Sequence, residues 1–265
     1  MSFPPSPDTA WAAGRVALIT GATSGFGLAL ARRLLAGGAH VIATGRRADR
    51  LQALEAEAPR GRVLARAMDL RDADSIGQAL ADLPPAFEAI DLLFNNAGLA
   101  LGLGKAHEAR LSDWEAMIET NVTGLVRMTR TVLPGMVARD RGDIINVSSV
   151  AASYPYPGGN VYGASKAFVR QFSLNLRSDL LGTKVRVTSI EPGMCETEFS
   201  MVRFGGDAQK AAAVYAGMQP LSADDVAQTV EAVVRLPGHI NVNTIEVMPV
   251  RQAFGPFAVS RDGVG

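Results

Sequence analysis

The sequence predicts an α/β fold, a doubly wound parallel sheet of seven strands in one domain. Three observations carry this. Seven short apolar or β-branched runs alternate with longer amphipathic stretches of helical spacing. The short runs are continuously apolar and not alternating, as strands are when helices cover both faces of the sheet. The 265 residues are 48% hydrophobic, enough for one sizeable core, and neither a repeat nor a linker-like shift in composition divides them.

The elements follow in order. Residues 16–20 form the first strand candidate. Residues 28–35 have helical spacing and stop at Gly37-Gly38, a pair suited to ending a helix. Residues 41–44 read as the second strand, and 47–58 as a helix closed by Pro59. Strands are expected at 63–67, 91–94, 143–147, 185–190 and 244–248, with long helices at 111–138 and 160–181. Strands interleaved with helices pair in parallel through right-handed crossovers. The domain is placed at 14–250. Residues 1–13, with three prolines, read as a disordered extension, and 251–265 as a C-terminal tail.

Lys plus Arg number 26, as do Asp plus Glu, so no net charge draws the chain to nucleic acid or an anionic membrane. The N-terminus has neither a cationic leader nor an apolar segment, and no run approaches the roughly 18 apolar residues of a membrane span. Cys195, the single cysteine, excludes an internal disulfide and fits a reducing compartment. A cytoplasmic globular protein is expected. No His/Cys/Asp spacing fits a metal. A hydrolase reading fails: Gly163-Ala164-Ser165 is followed by Lys166-Ala167, breaking the nucleophile pattern, and His40, His107 and His239 sit in no triad setting.

The chemistry starts after the first strand. Gly21, Ala22, Thr23, Ser24, Gly25, Phe26 and Gly27 run from strand into helix. Glycines there allow a tight turn and let a pyrophosphate approach main-chain N–H groups at a helix N-terminus. That makes the fold Rossmann-type. The second strand ends in Thr44-Gly45-Arg46-Arg47, with no acid before Asp49. A carboxylate would select NAD, whereas forked guanidiniums suit a 2′-phosphate, so NADP is the expected cofactor. The bland alternative is a solvated arginine pair. Asp69 and Leu70, after the third strand, would face the adenine. Asn95, Asn96, Ala97 and Gly98 would pass beneath the adenosine.

Tyr162 and Lys166 stand at i and i+4 and share a helix face. A nearby ammonium favours the phenolate of a tyrosine whose free pKa is about 10. Ser149 lies thirteen residues earlier, at a strand end, where a hydroxyl can bond a substrate oxygen and the tyrosine together. Ser148 is the neighbouring alternative, and spacing favours Ser149. Asn121, polar amid Ile118, Val122 and Leu125, is either a kinked helix interior or the ligand of a proton-relay water.

Together these residues, with Pro192-Gly193, resemble the short-chain dehydrogenase/reductase family in order and spacing. The resemblance implies Tyr162 as general acid/base and Lys166 on the nicotinamide ribose. It also implies Ser149 on the substrate oxygen, Asn121 as relay anchor, and Pro192, Gly193 and Thr197 along the nicotinamide. It implies a homotetramer packed through the two long helices, with Val126, Val132, Phe168 and Phe172 outside the core. VIATGRR, NNAGLAL, GGNVY, KAFVRQFSLNL and NTIEVMPV are similar to one branch, the bacterial NADP-dependent 3-hydroxy acid dehydrogenases. That branch handles serine, allo-threonine and malonic semialdehyde, which implies a receptor for a carboxylate. Arg203, in a segment the family folds as a lid, is one candidate and Arg251 another.

Overall fold

A computed structural model describes residues 10–255. The strands are β1 (Val16–Thr20), β2 (His40–Gly45), β3 (Val63–Ala67), β4 (Ile90–Asn95), β5 (Gly142–Val147), β6 (Val185–Pro192) and β7 (Thr244–Val247). They form one sheet in the order β3-β2-β1-β4-β5-β6-β7, and every neighbouring pair is parallel. The order runs outward from β1 in both directions, so the crossovers diverge between β1 and β4. Ligands of such sheets bind at that divergence, beyond the carboxyl ends of the strands.

The helices are α1 (Gly25–Ala36), α2 (Ala48–Glu57), α3 (Ala73–Leu80), α4 (Leu111–Ile118), α5 (Leu125–Ala138), α6 (Asn160–Asp179), α7 (Glu198–Arg203), α8 (Ala208–Ala213) and α9 (Ala223–Val234). Alternation along the strands divides the core. In β1, Ala17 and Ile19 meet Leu30 and Leu34 of α1, Leu51 of α2 and Val230 of α9. Val16 and Leu18 meet Ile76 of α3, Met128 of α5 and Leu176 of α6 on the opposite face. No helix among the described residues is long and apolar enough to cross a membrane.

Three expectations need correction. The helix expected over 111–138 is interrupted by a π turn at Glu119–Gly124 between α4 and α5. The chain leans on Leu70 there: a Cβ on Gly124 would lie 2.8 Å from the Leu70 Cβ, so only glycine allows the approach. The disordered extension expected through residue 13 does not hold for residues 10–13. Ala12 is fully buried, and Trp11 packs on Gly37 with Arg235 5.6 Å from its ring. Residues 1–9 and 256–265 lie outside the described residues. Val132, expected on an outer face, belongs to the core beneath α5.

Candidate active site

Thr20 stitches the Gly-rich turn to the end of β4. Its hydroxyl accepts from the Asn96 and Ala97 N–H groups at 3.0 Å, while Asn96 Nδ2 donates to the Thr20 and Gly21 carbonyls. Gly21 has φ +70°, and a Cβ there would lie 3.1 Å from Ala97 Cα. A Cβ on Gly27 would fall 2.4 Å from the Gly21 carbonyl oxygen, a contact no side chain allows. The first turn of α1 holds no acid, and Ser24 at its N-cap makes no side-chain cap bond. The positive end of the helix is therefore left to an anion. With a cavity of about 810 Å³ in front of it, this cradle fits a dinucleotide.

The two arginines after β2 part company. Arg47 donates from Nε and Nη2 to Thr23 Oγ1, from Nη2 to Ser24 Oγ at 2.8 Å, and from Nη1 to Glu198 at 2.8 Å. Arg46 is exposed and has neither a hydrogen bond nor an ion pair among the described residues. Asp69, held below the usual carboxylate range chiefly by its bond from Arg71, lines the same end of the cavity with Leu70. Ala22 and Gly27 are buried and absent from the cavity wall; they shape the turn without facing its ligand.

The two candidate serines have different partners. Ser148 donates to the Lys166 carbonyl at 2.7 Å, and so belongs to the helix scaffold. Ser149 caps a short helical turn by accepting from Ala151 N, and its hydroxyl bonds that of Tyr162. Tyr162 and Lys166 are both buried on the cavity side of α6, and Lys166 Nζ donates to the Val147 carbonyl at 2.8 Å. The ammonium lies 5.8 Å from the tyrosine ring centroid. Burial outweighs the acidifying influence expected from Lys166. It pushes the Tyr162 hydroxyl up to about 12, against a downward pull from the Ser149 hydrogen bond and from Arg203. Burial also brings Lys166 down to about 8.

Asn121 sits in the π turn, 1% exposed, behind the cavity wall. Its amide is a clamp: it accepts from Leu99 N and donates to the Leu99 carbonyl, both at 2.9 Å, and to Ser165 Oγ. A Cβ on Gly98 would lie 3.2 Å from Asn121 Oδ1 and 3.3 Å from Lys166 Nζ, so the clamp aligns the post-β4 loop against the lysine.

After Pro192 the chain crosses the cleft as a strap. Gly193 N donates to the Val247 carbonyl, and Met194 N to Gln252 Oε1 at 2.7 Å. Thr197 caps α7 through Phe199 N, and its side chain lies 3.7 Å from where a Cβ on Gly25 would be. Cys195 is buried, its thiol pushed up to about 12 by that burial, so it is a packing residue. At the far end of the strap, Arg203 donates to the Tyr156 hydroxyl at 2.6 Å. Its guanidinium lies 5.4 and 5.6 Å from the Tyr156 and Tyr162 ring centroids. Arg203 Nε is buried without a hydrogen-bond partner, and no carboxylate pairs with this residue among the described ones. Arg251, the other candidate, is exposed and outside the cavity wall. Sequence reasoning missed Tyr156, Phe199, Gln252 and the pairing of Glu198 with α2, because no local pattern marks them.

A phenol, an ammonium and a dinucleotide-sized cleft at one switch point equip the fold for hydride exchange at a carbinol or carbonyl carbon. The class is that of the nucleotide-dependent oxidoreductases. Residues 15–207 match the short chain dehydrogenase family, and the chain belongs to it. It is 56% identical over 247 residues to the NADP-dependent 3-hydroxy acid dehydrogenase YdfG of Salmonella typhimurium, covering 93% of this chain and 99% of that one. It is 55% identical over 245 residues to serine 3-dehydrogenase of Agrobacterium fabrum, covering 92% and 98%. The fold superimposes on the closed form of serine dehydrogenase complexed with NADP+ with TM-score 0.92 at 54% identity, over 93% of this chain and all of that one. For serine dehydrogenase from Escherichia coli the TM-score is 0.80 at 51% identity, over 90% of this chain and 99% of that one.

Proposed function

We propose that this chain is an NADP-dependent dehydrogenase of short 3-hydroxy acids, of the serine, allo-threonine and 3-hydroxypropionate class. The observation that carries it is Arg203, a half-buried cation whose Nε is buried and unpartnered, with its guanidinium 5.6 Å from the ring centroid of Tyr162. Such a cation is costly unless an anion meets it, and a substrate carboxylate is the anion that chemistry at Tyr162 would bring. Held in the cleft, NADP+ would supply the acceptor for the hydride of the carbinol carbon.

The protein's share is the proton and the alignment. Ser149 holds the substrate oxygen, and Tyr162 takes the hydroxyl proton in oxidation or returns it in reduction. Lys166 would hold the nicotinamide ribose, with Gly98 and Asn121 packed beside its ammonium. Asp69, Leu70, Asn96, Ala97, Pro192, Gly193 and Thr197 line the cleft and would hold the cofactor along its length. A panel of 3-hydroxy acids and 3-oxo acids, run with both cofactors, tests the reading. No turnover of any 3-hydroxy or 3-oxo acid would overturn it.

Arg46 supplies the guanidinium free to meet the 2′-phosphate. Arg46→Gln should lower catalytic efficiency with NADP about tenfold to a hundredfold, as loss of a charge-assisted hydrogen bond does, and leave NAD nearly unaffected. Equal efficiencies with the two cofactors in the unaltered enzyme would remove this assignment. The same reading includes a cytoplasmic homotetramer. Phe168 on α6 is 40% exposed and stacks on Phe172, and Val137 on α5 is 39% exposed, a surface that self-association would cover. Light scattering at micromolar concentration should return four times the chain mass; a monomer would contradict it.

A further inference from the structure

Within the strap, α7 is fastened at both of its ends. Arg203 lies on the tyrosines at one. At the other, Glu198 accepts from Arg47 at 2.8 Å on Oε2 and from Arg50 at 2.6 Å on Oε1, so each carboxylate oxygen has its own guanidinium. These two bonds hold the Glu198 carboxyl down at about 2. Arg47 is itself pinned to Thr23 and Ser24. One carboxylate thus joins the strap, the start of α2 and the Gly-rich turn, which lie far apart in sequence. A carboxylate here is a poor companion for a phosphate, since like charges repel. Its two-sided pairing instead suits a fastener.

We propose that Glu198, Arg47 and Arg50 form a latch that holds the strap across the adenosine end of the cleft, and that the latch must open for the cofactor to leave. This rests on the reading that the cleft holds NADP(H). Glu198 is then a positioning residue, acting through the strap and touching no reacting atom. The arginine pair after β2 divides its labour: Arg46 meets the phosphate, Arg47 the latch. Loss of the latch should therefore act on NADP and NAD alike, whereas loss of Arg46 acts on NADP alone. The three side chains are 40, 42 and 45% exposed, so the latch is modest in strength and open to screening by salt.

Release of NADPH, followed by its fluorescence in stopped flow on displacement with excess NADP+, tests this in the full-length enzyme. Glu198→Gln and Arg50→Gln should each release NADPH about three- to tenfold faster at low salt, the range of a small ion-pair network. Added KCl should speed release from the wild type more than from Glu198→Gln, in which only the contacts to the cofactor's phosphates remain to be screened. The double variant should release no faster than Glu198→Gln, because both changes break one coupled unit. A role confined to folding would lower thermal stability and leave the salt dependence of release in place. Unchanged release from both variants, in an enzyme that holds NADPH, would overturn the latch and leave the cofactor reading standing. A wild type that fails to hold NADPH would overturn both.

Discussion

Tyr162→Phe is expected to lower turnover about 10²–10⁴-fold, the range for losing a general acid/base, while NADPH still binds. The upper part of the range is favoured because the neighbours offer no substitute. Ser148 donates its proton to the Lys166 carbonyl and Lys166 donates to the Val147 carbonyl. The ring itself is retained, and with it the packing against Phe199 at 5.8 Å, so the fold should hold. Turnover with NADPH titration by fluorescence checks both halves. Near-normal turnover would take the proton transfer away from Tyr162.

Arg203→Met should raise the Michaelis constant for a 3-hydroxy acid about tenfold to a hundredfold, as loss of a charge-assisted hydrogen bond to a carboxylate does. An uncharged secondary alcohol should be affected far less. A second signature separates recognition from packing. Arg203 pulls the Tyr162 hydroxyl downward against its burial, so removing the cation raises that pKa further. In the oxidative direction, where Tyr162 must accept a proton, the rising limb of the pH profile should then move to higher pH. Equal losses on both substrates with an unmoved profile would assign Arg203 to the strap's packing alone.

The sequence by itself determined what local chemistry can determine. Continuous apolar runs separated by helical stretches specify a covered parallel sheet, because burial on both faces leaves no room for alternation. A Gly-rich turn between strand and helix, and a Tyr-Lys pair four apart, depend on backbone geometry within a few residues, so their meaning travels with the string. Some signals were present and unread. Ser222 and Asp225 form a capping box at the start of α9, and Asp72 caps α3.

The rest was decided by tertiary structure. Which serine meets Tyr162 turned on the direction in which the chain leaves β5, and Asn121 became a clamp because the helix widens into a π turn beside Leu70. The Tyr162 pKa depends on burial and on an arginine more than forty positions away in sequence, neither of which adjacency reveals. Arg46 and Arg47 are neighbours of one residue type, yet only Arg47 meets Glu198, a partner some 150 residues further on. Distances across a cleft arise from how the crossovers pack. A side chain's charge is written in the sequence, whereas the charge it faces is set by the fold.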